Sequence, residues 1–194
     1  FGTEGWKHDL AKEFGFKDVR HFYIMKWKEK SPPEVIAPPQ SINYSTLMMK
    51  EASDEEILKF AHGLNRSFAD HWNHSPLTDE RALKWKNIED TNIRLCFAMD
   101  GETLAGICMT EERVDYNKEN GTKDGWANLL GVMPEYRRKR LGRALLSEGM
   151  KWIYDQGMDT IYLGVDAENE KALELYKSLG FKVNKESIHY KRDL

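Results

Sequence analysis

Only two cysteines, Cys96 and Cys108, occur in 194 residues, and both lie in apolar strand-like runs, Leu-Cys-Phe and Ile-Cys-Met. This excludes a multi-disulfide scaffold, and the apolar setting favours buried free thiols in a reducing cytoplasm over a disulfide or a metal site. No apolar run approaches the ~18 residues a membrane span needs, and residues 1–10 lack the apolar centre of a secretory signal. Neither sign of charge dominates: 29 Lys and Arg against 32 Asp and Glu give a formal charge of -3, which argues against a nucleic-acid binder held by global charge. A starting Met is also missing, so the sequence is expected to be a piece of a longer chain. What is present, 40% hydrophobic residues, suffices for the core of one ordinary globular domain with something to spare.

The chain is organised around residues 126–144. The first half, Trp126 to Met133, is apolar almost throughout and predicts a buried strand, which Pro134 stops because it has no N–H to donate. A cationic turn follows: Arg137, Arg138, Lys139, Arg140 and Arg143 surround Gly142, and Ala144, Leu145, Leu146, Trp152 and Ile153 then recur at helical spacing. A Gly-containing cationic turn that opens a helix suits phosphate, through free N–H groups, the helix dipole and guanidinium hydrogen bonds. The plain alternative is a solvated basic turn on an amphipathic helix.

Along the chain, residues 1–30 resemble the end of something else. Lys-Glu-Phe-Gly-Phe-Lys at 12–17 recurs as Lys-Ser-Leu-Gly-Phe-Lys at 177–182, each after a helical pattern and before a strand-like run. A chance match is the alternative, since Gly past a helix end is common. Residues 31–41, with Pro32-Pro33 and Pro38-Pro39, predict an extended linker. From Ile42 the pattern gives a strand to Met49, a helix from Ser53 through Phe68, a turn at 71–76, a short helix from Thr78, and strands at 93–99 and 104–110 joined by an Asp100-Gly101 hairpin. Residues 111–124 look like a polar loop. A long helix ended by Gly157, a strand at 160–165, a helix carrying Ala172, Leu175, Tyr176 and Leu179 on one face, and a last strand from Phe181 complete an α/β sheet, antiparallel in its first half.

Two strings carry a resemblance. Val132-x-Pro134-x-x-Arg137-x-x-x-x-Gly142-x-Ala144 resembles motif A of the GCN5-related N-acetyltransferase (GNAT) superfamily, with Arg140 in the place of the first glycine, where glycine supplies φ freedom. Asn169-x-x-Ala172-x-x-Leu175-Tyr176-x-x-x-Gly180-Phe181 resembles motif B. The likeness covers about Tyr44 to the C-terminus. Residues 68–72 and 76–78 are similar to tandem-domain, mycothiol synthase-like members, resembling their C-terminal domain.

The resemblance implies a mixed, mostly antiparallel twisted sheet flanked by helices. It divides the chain into 1–30, the tail of a preceding GNAT-like domain; 31–41, a linker; and 42–194, the acetyltransferase domain. The implied activity is acetyl transfer from acetyl-coenzyme A, bound as cosubstrate without metal, to an amine of a small acceptor. Further implications are a cytoplasmic location, no membrane or nucleic-acid partner, and a preceding domain or a homodimer partner. The main chain of Leu130, Gly131 and Val132 would pair with pantetheine, and Arg137, Arg138, Lys139, Arg140, Leu141, Gly142, Arg143 and Ala144 would hold the pyrophosphate. Asn169, Ala172 and Tyr176 would line the other side, with Tyr176 as acid; the structural alternatives are a core aromatic at Tyr176 and a helix cap at Asn169. Glu111 is the candidate base, beside Glu112, and strand alternation allows only one of them to point inward. Asp70, His71 and His74 on the acceptor-side turn, or a water chain, are the other bases. Two further readings stand beside catalysis: a non-catalytic coenzyme A-binding or scaffold domain, and phosphate or nucleic-acid binding by the loop alone.

Overall fold

The computed structural model describes residues 5–192, so the first four residues of the 1–30 segment and the last two of 42–194 lie outside it. In chain order the elements are α1 (Gly5–Glu13), β1 (Lys17–Lys28), β2 (Ile42–Met48), α2 (Asp54–Phe68), α3 (Asp79–Leu83), β3 (Asn92–Asp100), β4 (Thr103–Glu112), α4 (Val114–Asn120), β5 (Asp124–Val132), α5 (Leu141–Asp155), β6 (Thr160–Asp166), α6 (Glu170–Ser178) and β7 (Lys182–Lys191). The fold is mixed α/β, with mostly antiparallel strands flanked by helices. It divides into two compact units, Glu29–Ile161 and the combination of Phe1–Lys28 with Tyr162–Leu194.

In the first unit the strands run in the order β2-β3-β4-β5, each pair antiparallel. Gly101 at φ 59° makes the tight β3–β4 turn that Asp-Gly announced. Alternation along β4 sends Ile107 toward Ile57 and Phe60 of α2, while Cys108 and Thr110 meet α5 at Gly149. The two helices therefore cover opposite faces. α2 begins with a capping box, Ser53 with Glu56, and buries Ile57, Phe60 and Ala61. Burial pushes the Cys96 thiol up to about 12 and the Cys108 thiol well above its ordinary range, so both are inert core groups, and neither is in a disulfide. The 31–41 segment has no helix or strand, yet it is anchored: Ile36 N–H donates to Ser147 Oγ of α5 at 2.9 Å, and the Tyr154 hydroxyl donates to Lys30 O.

Residues 111–124 correct the loop expectation. β4 continues to Glu112, and α4 follows, stopped by left-handed Gly121. Asn117 makes this possible: it is buried at 7% exposure, its amide donates to Asp124 O, and its Oδ1 accepts from Thr122 and from the Asp124 N–H. One buried side chain thus replaces several missing apolar contacts.

In the second unit β1 lies between β6 and β7, antiparallel to β7. Arg20 of β1 pairs with Asp166 at 2.8 Å and with Glu168. Met25 and Trp27 of β1 are buried at 0% and 4% exposure. Among the described residues no helix is long and apolar enough to cross a membrane.

Candidate active site

The β5–α5 connection is built from an abrupt stop. Met133, fully buried, donates its N–H to Ala105 O, and Pro134 opens a single 3-10 turn. Arg138 and Arg140 then adopt left-handed backbone, at φ 62° and 63°. Such a conformation costs a non-glycine residue about 1–2 kcal/mol. Arg140 therefore takes up the backbone geometry that a glycine would supply freely, at a position where the motif usually has one. It is also the residue before α5, which starts with no side-chain cap. A left-handed residue followed by a helical one turns successive N–H groups into a concavity that suits an anion, and the helix dipole adds to it.

The cations divide in role. Arg138, Lys139 and Arg140 are exposed, and Lys139 lies 5.2 Å over the Tyr136 ring, whose hydroxyl donates to Asp100. The Arg137 guanidinium is engaged instead: it donates to both oxygens of Asp70, to Ser67 O at 2.9 Å and to Val132 O at 3.3 Å. Hydrogen bonding with Arg137 holds the Asp70 carboxyl below its ordinary value and raises Arg137 further. Leu141 and Ala144 are buried supports, and Gly142 and Arg143 are half-buried in the first turn of α5. On β5, Leu130 and Val132 are half-buried against the α5 side, and Gly131 touches α2. A side-chain carbon at Gly131 would overlap Ser67 Oγ and lie 2.9 Å from Ser67 Cβ.

A second group of residues lies on the α2 side. Glu111 follows Ile107 and Met109 on that face and is 7% exposed. Its oxygens accept from Arg113 Nε and from Asn128 Nδ2. Asn128 reaches it because the β4–β5 register slips between Met109–Leu129 and Thr110–Ala127, which leaves Asn128 as an extra residue on β5. Arg113 lies 4.8 Å over the Trp126 ring, and Trp126 faces Glu111 in register. Glu112 instead accepts from Asn92. The turn after α2 holds His71 against Phe68, ring centroids 4.3 Å apart, and Asn65 clamps the main chain of Leu77 through both its amide groups.

The remaining candidates belong to the other unit. Asn169 caps α6, its Oδ1 accepting from Ala172 N–H at 3.1 Å. Tyr176 is half-buried, edge-on to Phe181 at 6.2 Å. Arg113, Asn128 and the Arg137–Asp70 pair were not anticipated. A polar Asn128 inside an otherwise apolar strand was the one available signal. Among the described residues no cluster of three potential metal ligands exists.

Comparison with known proteins follows the same direction. The family model described as the acetyltransferase (GNAT) family matches residues 57–181. The chain is 29% identical to a mycothiol acetyltransferase of Nocardiopsis dassonvillei, over 93% of this chain and 62% of that protein. It is 27% identical to one of Rhodococcus erythropolis with the same coverage, so it spans about three fifths of the length of these relatives. Among solved structures, a GCN5-related N-acetyltransferase from Sphaerobacter thermophilus matches at TM-score 0.77 and 23% identity, over 97% of this chain and 56% of that one. A tandem GNAT protein from the clavulanic acid biosynthesis pathway matches at TM-score 0.75 and 14% identity, over 97% and 58%. These two establish likeness of fold.

Proposed function

The chain belongs to the acetyltransferase (GNAT) family, and on that premise we propose that it transfers the acetyl group of acetyl-coenzyme A to an amine of a small-molecule acceptor by direct attack. The observation that carries this reading is the loop of left-handed Arg138 and Arg140 at the uncapped start of α5. Pyrophosphate offers only acceptors and negative charge, and this loop offers amides, a helix dipole and guanidinium groups. Arg138, Lys139, Arg140 and Arg143 bind it with the amides of Leu141 and Gly142. Ala144 acts by its small size, since its N–H bonds to Arg140 O. Arg137 fixes the loop from behind through Asp70. The main chain of Leu130, Gly131 and Val132 receives pantetheine as an added strand.

The chemistry needs few parts. A neutral amine attacks the thioester carbon, the new C–N bond forms, and the C–S bond breaks as the tetrahedral adduct collapses. The proton lost by the amine goes to Glu111, directly or through water, and by the motif likeness the departing thiolate takes one from the Tyr176 hydroxyl. Asn169 and Ala172 flank the cosubstrate by the motif likeness. Calorimetry with acetyl-coenzyme A, followed by thiol release over a panel of small amines, tests the proposal: binding with amine-dependent release is expected.

A second reading, a coenzyme A-binding scaffold without turnover, is favoured by one observation. Both Glu111 oxygens already accept hydrogen bonds from Arg113 and Asn128. Binding without release for any amine would select it. As partner, we propose a preceding GNAT-like domain that covers the exposed Trp6, Leu10 and Phe14 on one face of the 1–30 segment, in keeping with the greater length of the relatives. The proposed location is the cytoplasm.

A further inference from the structure

The two oxygens of the buried Glu111 carboxylate are held in different ways. Oε2 accepts from Asn128 Nδ2, and that partner is fixed in the sheet as the extra residue of the β5 bulge. Oε1 accepts from Arg113 Nε, whose side chain is 44% exposed. The backbone of Arg113 is locked, since its carbonyl accepts the Asn117 N–H at 2.9 Å at the start of α4 and buried Asn117 ties that helix to Asp124. Its guanidinium arm, lying 4.8 Å over the Trp126 ring, is the part that can turn.

A guanidinium carries several N–H donors in a rigid fork, and among the described residues only the Nε of Arg113 is hydrogen-bonded. Its two terminal amino groups therefore present the planar geometry that matches a carboxylate. The Trp126 ring beneath supports the cation without using those edge donors. Neighbouring acids are engaged elsewhere: Glu112 accepts from Asn92, and Asp115 is hydrogen-bonded with Asp90.

Opening the Glu111–Arg113 pair by itself is costly, because it leaves a buried carboxylate without its cation. A ligand that brings both charges avoids that cost. We propose that the acceptor is an amine that also carries a carboxylate, and that Arg113 is the residue that selects it. The acceptor carboxylate takes the Arg113 fork, the guanidinium turns away from Glu111, and Oε1 is released to receive the ammonium group and then its proton. Asn128 keeps hold of Oε2 throughout, so the released oxygen keeps its direction. An amine without the carboxylate meets an Oε1 that is still occupied. This inference rests on Glu111 as the base of the proposed acetyl transfer, and it makes the doubly bonded Glu111 a resting state that the right acceptor opens.

Calorimetry on the full chain saturated with coenzyme A, which keeps the cationic turn occupied, reads this selection without turnover. The probes are a homologous series of ω-amino carboxylates and the matching ω-amino amides. The wild type is expected to bind at least one carboxylate about 10- to 100-fold more tightly than its amide, the worth of a hydrogen bond to a charged group. Arg113→Gln is expected to bind the two alike, whereas Glu111→Gln keeps the preference. If Arg113→Gln does not fold, Arg113→Lys keeps the charge without the fork and is expected to narrow the preference. Equal binding of every pair by the wild type, no binding of any carboxylate, or a preference that survives in Arg113→Gln overturns the proposal, as does an Arg113→Gln loss that falls equally on both probes. Thiol release from acetyl-coenzyme A with the same probes separates the two readings. Release without a carboxylate preference leaves acetyl transfer standing and removes this inference; an Arg113-dependent preference without release from any amine removes acetyl transfer and keeps carboxylate recognition.

Discussion

Arg137 holds Asp70 with two parallel hydrogen bonds, Nη1 to Oδ2 at 2.6 Å and Nη2 to Oδ1 at 3.1 Å, and the same guanidinium binds the Ser67 and Val132 carbonyls. The end of β5 is thereby fixed to the end of α2, just ahead of the cationic turn. Asp70→Asn should loosen this join. Because the Asp70 carboxyl is held below its ordinary value of about 4, its contribution is full above that value and is lost as pH falls through the lower, folded one. Both side chains are partly exposed, so the contribution is at most about 1 kcal/mol. Thermal melts from pH 7 to 3 should show the wild type more stable at neutral pH and the two proteins converging in acid; parallel curves would remove the ion pair from the account.

Arg140 separates conformation from charge. Arg140→Gly relieves a left-handed strain of about 1–2 kcal/mol at a glycine entropy cost of about 0.5–1, and should therefore raise stability by about 0.5–1 kcal/mol. Arg140→Ala keeps the strain. Both remove a cation, and both should weaken coenzyme A binding by about two- to fivefold, or ~0.5–1 kcal/mol. A gain in melting temperature for both variants, or for neither, would show that the strain is not what φ 63° implies.

Gly131 lets α2 approach β5. Gly131→Ala forces Ser67 away and should destabilise the protein by about 1–3 kcal/mol, measured by denaturant midpoint. An unchanged midpoint would mean that α2 yields freely at this position.

Much of this was legible in advance because the periodic signals were strong. Ser53 with Glu56, Asp100-Gly101, Pro134 and the glycines at 157 and 180 each marked a boundary that the backbone obeys, since each acts through its own local chemistry. α4 was not legible, because its stability comes from Asn117 reaching Asp124 and Thr122, partners that a local pattern does not reveal. The site divides in the same way. The cationic turn follows from its own residues, but the Asn128 bulge depends on strand register, and the Arg137–Asp70 pair joins residues far apart in sequence.

Glu111 and Tyr176 take opposite proton roles in the proposed reaction, so each variant should lower turnover without removing cosubstrate binding. Glu111→Gln should lower kcat/KM by about 10²–10⁴. Tyr176→Phe keeps the ring packed on Phe181 and should lower kcat by one to a few powers of ten, with acetyl-coenzyme A affinity nearly unchanged. Intact kcat in Tyr176→Phe would leave the hydroxyl without a role, and a lowered melting temperature alone would make it a packing residue.

The central claim rests on turnover, and thiol release from acetyl-coenzyme A measured with and without each member of an amine panel tests it most directly. The account expects saturable release that requires an amine, falls in Tyr176→Phe, and yields an N-acetylated product of matching mass. Tight binding of acetyl-coenzyme A with no amine-dependent release across the panel would contradict it and leave the chain as a binding domain.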